Sequence, residues 1–543
     1  MAKSNVTFHV ASLPWAEPDS SLVEQASPLH RGFIILPFEC SSEVICDATK
    51  DPLPLVGQWI DRSRRRWSKF ELPRGDSSSA ETLIRCTNGG DGTEYSLSVP
   101  LGPGIARSEL DEQLDTEDIV PESLHGYLRI RNFIDQHIQF MNDLNDHLRP
   151  NRFYWEGNCD GNQIRSVYRA TCRWLNSDDK DNARLALIVK LARDISRTLG
   201  QVCEKPRVVL RRTRELQSIS RIQEIDPACL RWIARQPGRD IYERAGSRQE
   251  LLGVVRKEDT DTLENRVVRD LLHRARVECS NYLSIYREFQ AHDRVRSVAG
   301  FRRSILDWER HSEIRDAKQL VGLAQPNYVL LHEPKYRRLW DAYQALLSQQ
   351  RQKDDIWKWR DRTFAESCQF LVLSILSSLS HRSPFLKSDL VLYHEAISGK
   401  FVSNRTQLGP ASISLNNQRK TLLLCPGNGA TSCPFIAREF YPWAVDFFLI
   451  LPRSGISSHV LVPVWCFTEF DHQTFDVGLK QLEDKLTTVA SAKSIYPLIL
   501  TFQQPNSEQT FFQGQGRVVN LETPAQTNLN KLQALLFTIL EKA

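Results

Sequence analysis

Asp446 is a single carboxylate inside an otherwise apolar stretch, residues 444–451. This stretch and a second one, residues 460–467, are predicted to be buried strands joined by a polar turn. An isolated ionised side chain in such a setting is costly unless it is paired, binds a metal ion or lies at the exposed end of its strand. Asp446 is therefore the first candidate for site chemistry.

The composition is that of a globular protein rather than a disordered chain, with 41% hydrophobic and 25% charged residues. A length of 543 residues suggests about three domains. The net charge of +4 creates no strong general attraction for polyanions, so a nucleic-acid surface must come from local clusters. We find no signal peptide and no apolar run near the ~20 residues that span a bilayer, so we expect a cytoplasmic protein without membrane contact.

The 12 cysteines include no C-x-x-C pair. We expect small buried thiols in a reducing cytoplasm. A Cys425–Cys433 pair or zinc site is the alternative, although this spacing matches no common zinc pattern.

The order of predicted elements indicates an α+β multidomain chain. Residues 1–120 are predicted to form a β-rich N-terminal module, and residues 121–360 a mainly α-helical domain. Residues 361–543 are predicted to be an α/β domain, because strands are followed by a helix, a strand and a helix. Predicted helices cover residues 130–148, 181–199, 227–235, 262–286, 335–349, 363–379, 479–489 and 526–542. Predicted strands cover residues 32–37, 95–100, 389–393, 413–415, 421–425, 444–451, 460–467 and 495–501.

Residues 259–272, Asp-Thr-Asp-Thr-Leu-Glu-Asn-Arg-Val-Val-Arg-Asp-Leu-Leu, form the most specific string in the chain. Thr262 can cap a helix whose first turn carries Glu264, Asn265 and Arg266, and an apolar stripe follows. We expect this motif to be structural rather than catalytic.

The Thr-x-Glu-Asn-Arg helix start resembles that of McrC-like proteins, the subunits that partner AAA+ GTPases in modification-dependent restriction. Residues 225–234, 337–340 and 363–368 agree with the family in order. The resemblance covers roughly residues 200–500. It is closest to the branch in which an N-terminal module precedes a PD-(D/E)xK domain.

The resemblance implies a C-terminal restriction-endonuclease-like domain. In that family an Asp on one strand, a D/E-x-K triplet on the next and a helix Glu hold Mg²⁺, and the triplet Lys polarises the attacking water. Only Glu366 and Asp446 carry over to this chain. The triplet position falls near Pro463, Val464 and Trp465, none of which can bind a metal or activate water. A degenerate nuclease with no resident cofactor or metal is expected.

A rearranged site is the alternative. Glu469 and Asp471 follow the second strand, and Lys480 or Lys485 on the next helix could supply the ammonium. With Asp446 they would form a Mg²⁺-dependent DNA endonuclease.

Arginine-rich clusters with interleaved aromatic residues are candidate nucleic-acid contacts, because guanidinium groups bind phosphate and aromatic faces stack on bases. Solvated helix faces and internal ion pairs are the simpler interpretation of any single cluster. The candidates are Arg64, Arg65, Arg66, Arg211, Arg212, Arg302, Arg303, Lys335, Arg337, Arg338, Lys358 and Arg360.

The sequence thus predicts a non-catalytic, McrC-like accessory subunit of a prokaryotic anti-phage defence or restriction system. Its expected partners are a protein, either an AAA+ NTPase or a helicase or nuclease subunit, and DNA. There is no G-x-x-x-x-G-K-[ST] motif for an ATPase of its own. The active endonuclease and a purely structural interaction scaffold are the alternatives.

Overall fold

The computed structural model divides the chain into two compact units, which we call the terminal unit (residues 1–180 and 350–543) and the middle unit (residues 181–349). The three consecutive domain ranges predicted from the sequence stay a prediction. The structure describes residues 8–18, 31–37, 40–47, 51–75, 81–88, 94–100, 107, 110, 125–148, 186–320, 322, 324–379, 390–395, 400–404, 408–415, 418–427, 433–452, 459–489, 494–502, 510–512, 514–521 and 526–542.

The N-terminal part of the terminal unit is β-rich, as predicted. Its strands are β1 (His9–Ala11), β2 (Phe33–Pro37), β3 (Cys40–Cys46), β4 (Asp51–Pro52), β5 (Leu55–Ile60), β6 (Arg66–Glu71), β7 (Glu81–Asn88) and β8 (Glu94–Pro100). They form two antiparallel sheets in the orders β1-β2-β6-β5 and β4-β3-β7-β8. Side chains of both sheets, such as Ile34, Leu36 and Ile84, share one buried core.

The middle of the chain is mainly helical, as predicted. Its helices are α1 (His125–Leu148), α2 (Leu187–Asp194), α3 (Ser196–Glu204), α4 (Pro227–Ala234), α5 (Ile241–Arg244), α6 (Leu263–Ile285), α7 (Asp293–His311), α8 (Tyr328–His332), α9 (Pro334–Lys358) and α10 (Arg360–Leu379). Short 3₁₀ turns lie at Ile219–Arg221, Arg287–Phe289 and Glu313–Asp316. The sequence did not predict the two-stranded antiparallel ribbon of β9 (Val209–Ser218) and β10 (Glu250–Asp259).

The C-terminal part contains a large mixed sheet. Its elements are β11 (Leu390–Glu395), β12 (Lys400–Asn404), β13 (Leu408–Leu415), β14 (Gln418–Pro426), a 3₁₀ turn (Arg438–Trp443), β15 (Phe447–Pro452), β16 (His459–Phe467), α11 (His472–Val489), β17 (Ser494–Ile495), β18 (Leu498–Thr501), β19 (Thr510–Phe511), β20 (Gly516–Asn520) and α12 (Gln526–Lys542). The order is β13-β14-β15-β16-β18-β20-β19, with β17 also paired to β16. Strands β13 to β16 are antiparallel neighbours, whereas β16, β18 and β20 run parallel.

Strand β16 is buried along its whole length because both faces of the sheet are covered. Val462 and Val464 face a core that includes residues of α1, α10 and α12. Leu461 and Trp465 face the opposite core, which includes Trp15 and residues of β2. This double burial explains the continuous apolar run in the sequence, since a strand with one solvated face would alternate.

None of the helices in the described part of the chain is both long enough and apolar enough to cross a membrane.

Candidate functional site

Asp446 lies directly before β15, beside β16. Its N–H donates to the carbonyl of Val464 at 3.0 Å, and its side chain is only 8% exposed. The two carboxylate oxygens each accept a hydrogen bond of 2.7 Å from the Arg31 guanidinium. Oδ2 also accepts from the backbone N–H of Cys466 at 2.8 Å. The buried carboxylate is therefore paired with a cation of this same chain.

Arg31 uses its whole guanidinium in this contact. Nε donates to Glu71 Oε1 at 2.6 Å and Nη2 to Glu71 Oε2 at 3.2 Å. Nη1 also donates to the carbonyl of Cys466 at 3.2 Å. With the two bonds to Asp446, all five N–H donors of the arginine have acceptors. We call Arg31, Glu71 and Asp446 the Arg31 node.

The electrostatics of the node favour a permanently charged arginine. Burial alone would lower the pKa of Arg31, but the carboxylates of Asp446 and Glu71 outweigh it, and the pKa lies well above its ordinary value. Burial raises the pKa of Asp446, and the Arg31 guanidinium and the Cys466 amide oppose that rise. The cation that Asp446 and Glu71 share is therefore the Arg31 side chain, which its hydrogen bonds hold in place.

The residues at the expected triplet position lie opposite Asp446, but they are apolar. Pro463 pairs with Phe448 and Val464 with Phe447 in the β15–β16 register. The Trp465 indole donates to the carbonyl of Trp443 at 3.0 Å. The hairpin therefore offers backbone groups and hydrophobic side chains where the family has a carboxylate and a lysine.

Glu366 and Asp446 line the same small cavity, of about 50 Å³, together with Arg31 and Arg362. Glu366 on α10 contacts Nε2 of His137 on α1 at 3.1 Å. The other ring nitrogen of His137 lies 2.8 Å from the Ser367 hydroxyl. The structure thus brings Glu366 and Asp446, the two carboxylates that the resemblance singled out, around one space that is also lined by two arginines.

The groups of the rearranged alternative have other partners. Glu469 accepts from the Arg360 Nε and Nη2 atoms at 3.1 and 2.8 Å. Asp471 accepts from the amide and hydroxyl of Thr474, both at 2.9 Å, and so caps α11. Lys485 donates to Glu17 at 2.6 Å.

Lys480 lies on the exposed face of α11. Among the residues that the structure describes, no three His, Cys, Asp or Glu side chains are grouped closely enough to hold a metal ion.

Asp361 is a buried ion-pair partner that sequence reasoning missed. It accepts from Arg74 Nε at 2.8 Å, and from the amide and hydroxyl of Thr468 at 2.9 and 2.6 Å. Burial opposes its ionisation, but Arg74 and Arg31 nevertheless hold the pKa of Asp361 well below its usual range. The Arg-Asp-Arg run at residues 360–362 was the one local signal for this network.

Lys69 is a second ionisable residue that sequence reasoning missed, and it is fully buried. Its ammonium donates to the carbonyls of Pro14 at 2.7 Å and Ala16 at 2.6 Å, and to that of Pro442. Burial lowers the pKa of Lys69 well below its ordinary value. The residue ties the N-terminal segment to the turn that precedes Asp446.

The basic candidates of the terminal unit differ in their exposure. Arg64, Arg65 and Arg66 are exposed where β5 turns into β6. Lys358 is half-buried. Arg360 is only 2% exposed and bound to Glu469, which corrects its assignment as a nucleic-acid contact.

In the middle unit, the Glu264-Asn265-Arg266 motif joins three parts of the chain. The Asn265 amide nitrogen donates to the carbonyls of Thr260 at 2.7 Å and Arg207 at 2.8 Å. Its oxygen accepts from the Tyr336 hydroxyl at 3.0 Å. Burial raises the pKa of Tyr336 to about 12, so this hydroxyl keeps its proton at neutral pH.

The charged members of the motif are ion-paired. Arg266 binds both oxygens of Asp261 at 2.6 Å. These hydrogen bonds hold the pKa of Asp261 well below its usual range. Glu264 is 3% exposed and pairs with Arg207. The contacts are those of a buried packing element.

The remaining basic candidates lie in the middle unit and differ in their surroundings. Arg211 and Arg212 pair with Asp259 and Glu224. Arg302 is half-buried and donates to the Ser280 hydroxyl at 2.9 Å. Arg211 and Arg212 are exposed despite their ion pairs, and the other exposed candidates are Arg303, Lys335, Arg337 and Arg338.

A family model described as "Domain of unknown function (DUF2357)" matches residues 164–343, about a third of the chain. The matched range includes the Glu264-Asn265-Arg266 motif and excludes the Arg31 node. No curated protein and no solved structure matches the chain.

Proposed function

We propose that this protein is a non-catalytic, McrC-like accessory subunit of a prokaryotic anti-phage restriction system. Its C-terminal part is a degenerate PD-(D/E)xK core that acts as a scaffold. The observation that carries the proposal is the Arg31 guanidinium, which occupies the space between the Asp446 and Glu71 carboxylates with all five N–H groups engaged.

The arrangement of the C-terminal elements supports this interpretation. Helix α10, which carries Glu366, packs on the sheet that contains the β15–β16 hairpin. Helix α11 connects β16 to the parallel neighbour β18. A nuclease core needs a helix carboxylate and a hairpin carboxylate around one space, and Glu366 and Asp446 meet that need.

The chemistry of the site supports the loss of activity. A magnesium ion requires several oxygen ligands at about 2.0 to 2.1 Å. Asp446 would have to exchange Arg31 for the metal, and this would leave a buried guanidinium short of acceptors. Of the lysines in the rearranged alternative, Lys485 is held by Glu17 and Lys480 is exposed on α11.

We further propose that the subunit acts by binding a protein partner, an AAA+ NTPase or a helicase or nuclease subunit, and DNA. The exposed arginines at the β5–β6 turn support a DNA contact, because Arg64, Arg65 and Arg66 are consecutive exposed cations on one hairpin. Such binding would weaken steeply with salt.

Plasmid cleavage by the purified full-length chain tests the absence of catalysis. We expect no nicking of supercoiled DNA with Mg²⁺ or Mn²⁺, from the wild type or from Asp446→Asn. Metal-dependent cleavage that disappears in Asp446→Asn and persists in Asp47→Asn would overturn the proposal. Asp47 is the control because its carboxylate pairs with Arg85 at a partly exposed position. Cleavage that is equal in all three proteins and stays with the chain through a second purification step would also overturn the proposal, whereas cleavage that separates from the chain would identify a contaminating nuclease.

A further inference from the structure

The β9–β10 ribbon and the two short helices between its strands form one element, residues 208–259, which we call the wing. Its own core is small and consists of Ile233, Ala245 and Leu251 with a few half-buried neighbours. In the part of the chain that the structure describes, the ribbon pairs with no third strand. The wing therefore has a large exposed surface relative to its small hydrophobic core.

Exposed apolar side chains are concentrated on the wing. Of the fourteen large hydrophobic residues that are exposed in the described chain, eight belong to this element, which is about a tenth of the sequence. They are Val208, Val209, Leu210, Leu216, Ile225, Leu230, Ile241 and Tyr242. Single exposed hydrophobic residues are ordinary, whereas such a concentration marks an interaction surface.

Strand β9 also has an open edge. Among the described residues, no backbone group outside β10 hydrogen-bonds to the backbone of β9. The outer edge of β10 is partly covered, since the Val254 N–H donates to the Glu224 carbonyl at 2.9 Å. An exposed edge of ten residues is a template for pairing with another strand.

The side chains on one face of β9 follow a regular order of apolar and basic residues. Leu210, Arg212, Arg214 and Leu216 alternate along the strand and so share a face. Leu210 is 60% and Leu216 is 54% exposed. The wing as a whole contains eleven Lys and Arg against eight Asp and Glu. Along this face of β9, the first and last of the four side chains are therefore apolar and the two between them are basic.

We propose that the open edge of β9 accepts an extended segment of a protein partner by strand addition. Residues directly opposite each other on paired strands share a face, so the segment should place apolar residues against the two leucines and acidic residues against the two arginines. The pattern is apolar-x-acidic-x-acidic-x-apolar, and its symmetry allows either strand direction.

A protein strand fits this edge better than nucleic acid does. Leu210 and Leu216 offer nothing to a phosphate backbone. The guanidinium groups of Arg212 and Arg214 pair with Glu224 and Asp226, but their side chains are still 59% and 54% exposed, so acidic side chains of an added strand can reach them. The inference rests on the proposed role as a partner-binding subunit, and it names the surface and the chemistry of the partner.

A labelled peptide, Ser-Gly-Val-Thr-Glu-Thr-Glu-Thr-Val-Gly-Ser, is a direct probe of the β9 edge. We expect the full-length chain to bind it, by fluorescence anisotropy, about tenfold or more tightly than the version with both Glu replaced by Lys. N-methylation of alternate residues, which removes backbone donors, should also weaken binding.

Variants of the protein test whether the peptide binds at β9. The double substitution Leu210→Glu and Leu216→Glu changes exposed residues and should reduce binding about tenfold or more. Val477→Glu, which changes a 54% exposed residue of α11, should leave binding unchanged. Hydrogen exchange should show new protection of the amides of β9 when the peptide is bound.

Equal binding of the acidic and basic peptides, no binding of either, or binding that survives the double substitution would overturn the strand-addition proposal. Displacement of the peptide by a DNA duplex, with the same loss in the double variant, would assign the edge to nucleic acid and would also overturn it. None of these results alters the plasmid test, so failure of this surface and failure of the non-catalytic function are distinguishable.

Discussion

Arg31 binds Asp446 through two parallel hydrogen bonds of 2.7 Å, although 415 positions separate the two residues in the chain. Their side chains are 4% and 8% exposed. The pair joins the segment that precedes β2 to the segment that precedes β15. A buried ion pair between two residues that are far apart in the sequence therefore lies within the terminal unit.

The first prediction concerns removal of this cation. We expect Arg31→Ala to lower the free energy of unfolding by about 3–5 kcal/mol, because breaking a buried ion pair leaves an uncompensated charge. Chemical denaturation followed by tryptophan fluorescence measures the change. Arg85→Ala is the control, since the Arg85–Asp47 pair is 47% and 28% exposed and its loss should cost less than about 1 kcal/mol. Similar losses in the two variants would contradict a structural role for the node.

The second prediction concerns acid. The pKa of Asp361 is depressed in the folded protein, so its contribution to stability is present above the unfolded-state pKa of about 3.9 and is lost as pH falls below that value. We expect Asp361→Asn to be clearly destabilising at neutral pH, and we expect its penalty to begin to shrink below about pH 4 and to continue shrinking as pH approaches the lowered folded-state pKa. Denaturation of both proteins across this pH range measures the difference. A penalty that stays constant with pH would show that the loss comes from packing rather than from charge.

Sequence patterns predicted the elements with strong apolar periodicity. The closing helix has the predicted bounds, Gln526–Lys542, and β16 differs from the predicted strand by one residue. Of the predicted helix at residues 181–199, residues 181–185 lie outside the described residues, and the rest is divided into α2 and α3 at Ile195, whose backbone (φ −112°, ψ −12°) is right-handed but distorted from regular helix values. Local periodicity cannot show such a break, because both helices bury the same side.

The wing and the Arg31 node escaped prediction for different reasons. Strand β9 lacks alternation because much of it is exposed on both faces. Arg31 carries no local sign that it is buried, since an arginine is ordinarily a surface residue. Its role depends on Glu71 and Asp446, which only the folded chain brings together. The position of Asp446 was predictable from its apolar neighbours, but its partner was not.

The third prediction tests the packing role of the Glu264-Asn265-Arg266 motif. Asn265→Ala removes the donors to the partly buried carbonyl groups of Thr260 and Arg207, and the acceptor of the buried Tyr336 hydroxyl. Each unsatisfied group costs about 1–3 kcal/mol, so we expect a loss of at least about 2 kcal/mol. Faster hydrogen exchange along α6 in the full-length chain measures it. Lys190→Ala, at an exposed position of α2, is the control and should leave the exchange of α6 unchanged.

The last prediction concerns DNA. The β5–β6 turn is held by Asp61, whose carboxylate accepts from the Arg65 amide at 2.8 Å and from the Trp67 indole at 3.0 Å. The side chains of Arg64 and Arg65 are therefore exposed on a turn that these hydrogen bonds hold in place. We expect salt-dependent binding of duplex DNA, and we expect Arg64→Ala with Arg65→Ala to reduce the slope of log K against log salt by about 1.8, since each phosphate contact contributes about 0.9.

The control variant removes the same amount of positive charge from a different surface of the protein. Lys190→Ala with Arg193→Ala changes two exposed residues of α2 and should leave the salt slope unchanged. Mobility shifts or anisotropy at several salt concentrations give both slopes. An equal decrease in the two double variants would indicate a general charge effect rather than a contact at the turn. Absence of DNA binding at low salt would remove DNA from the proposed partners, and would leave the scaffold role to protein contacts alone.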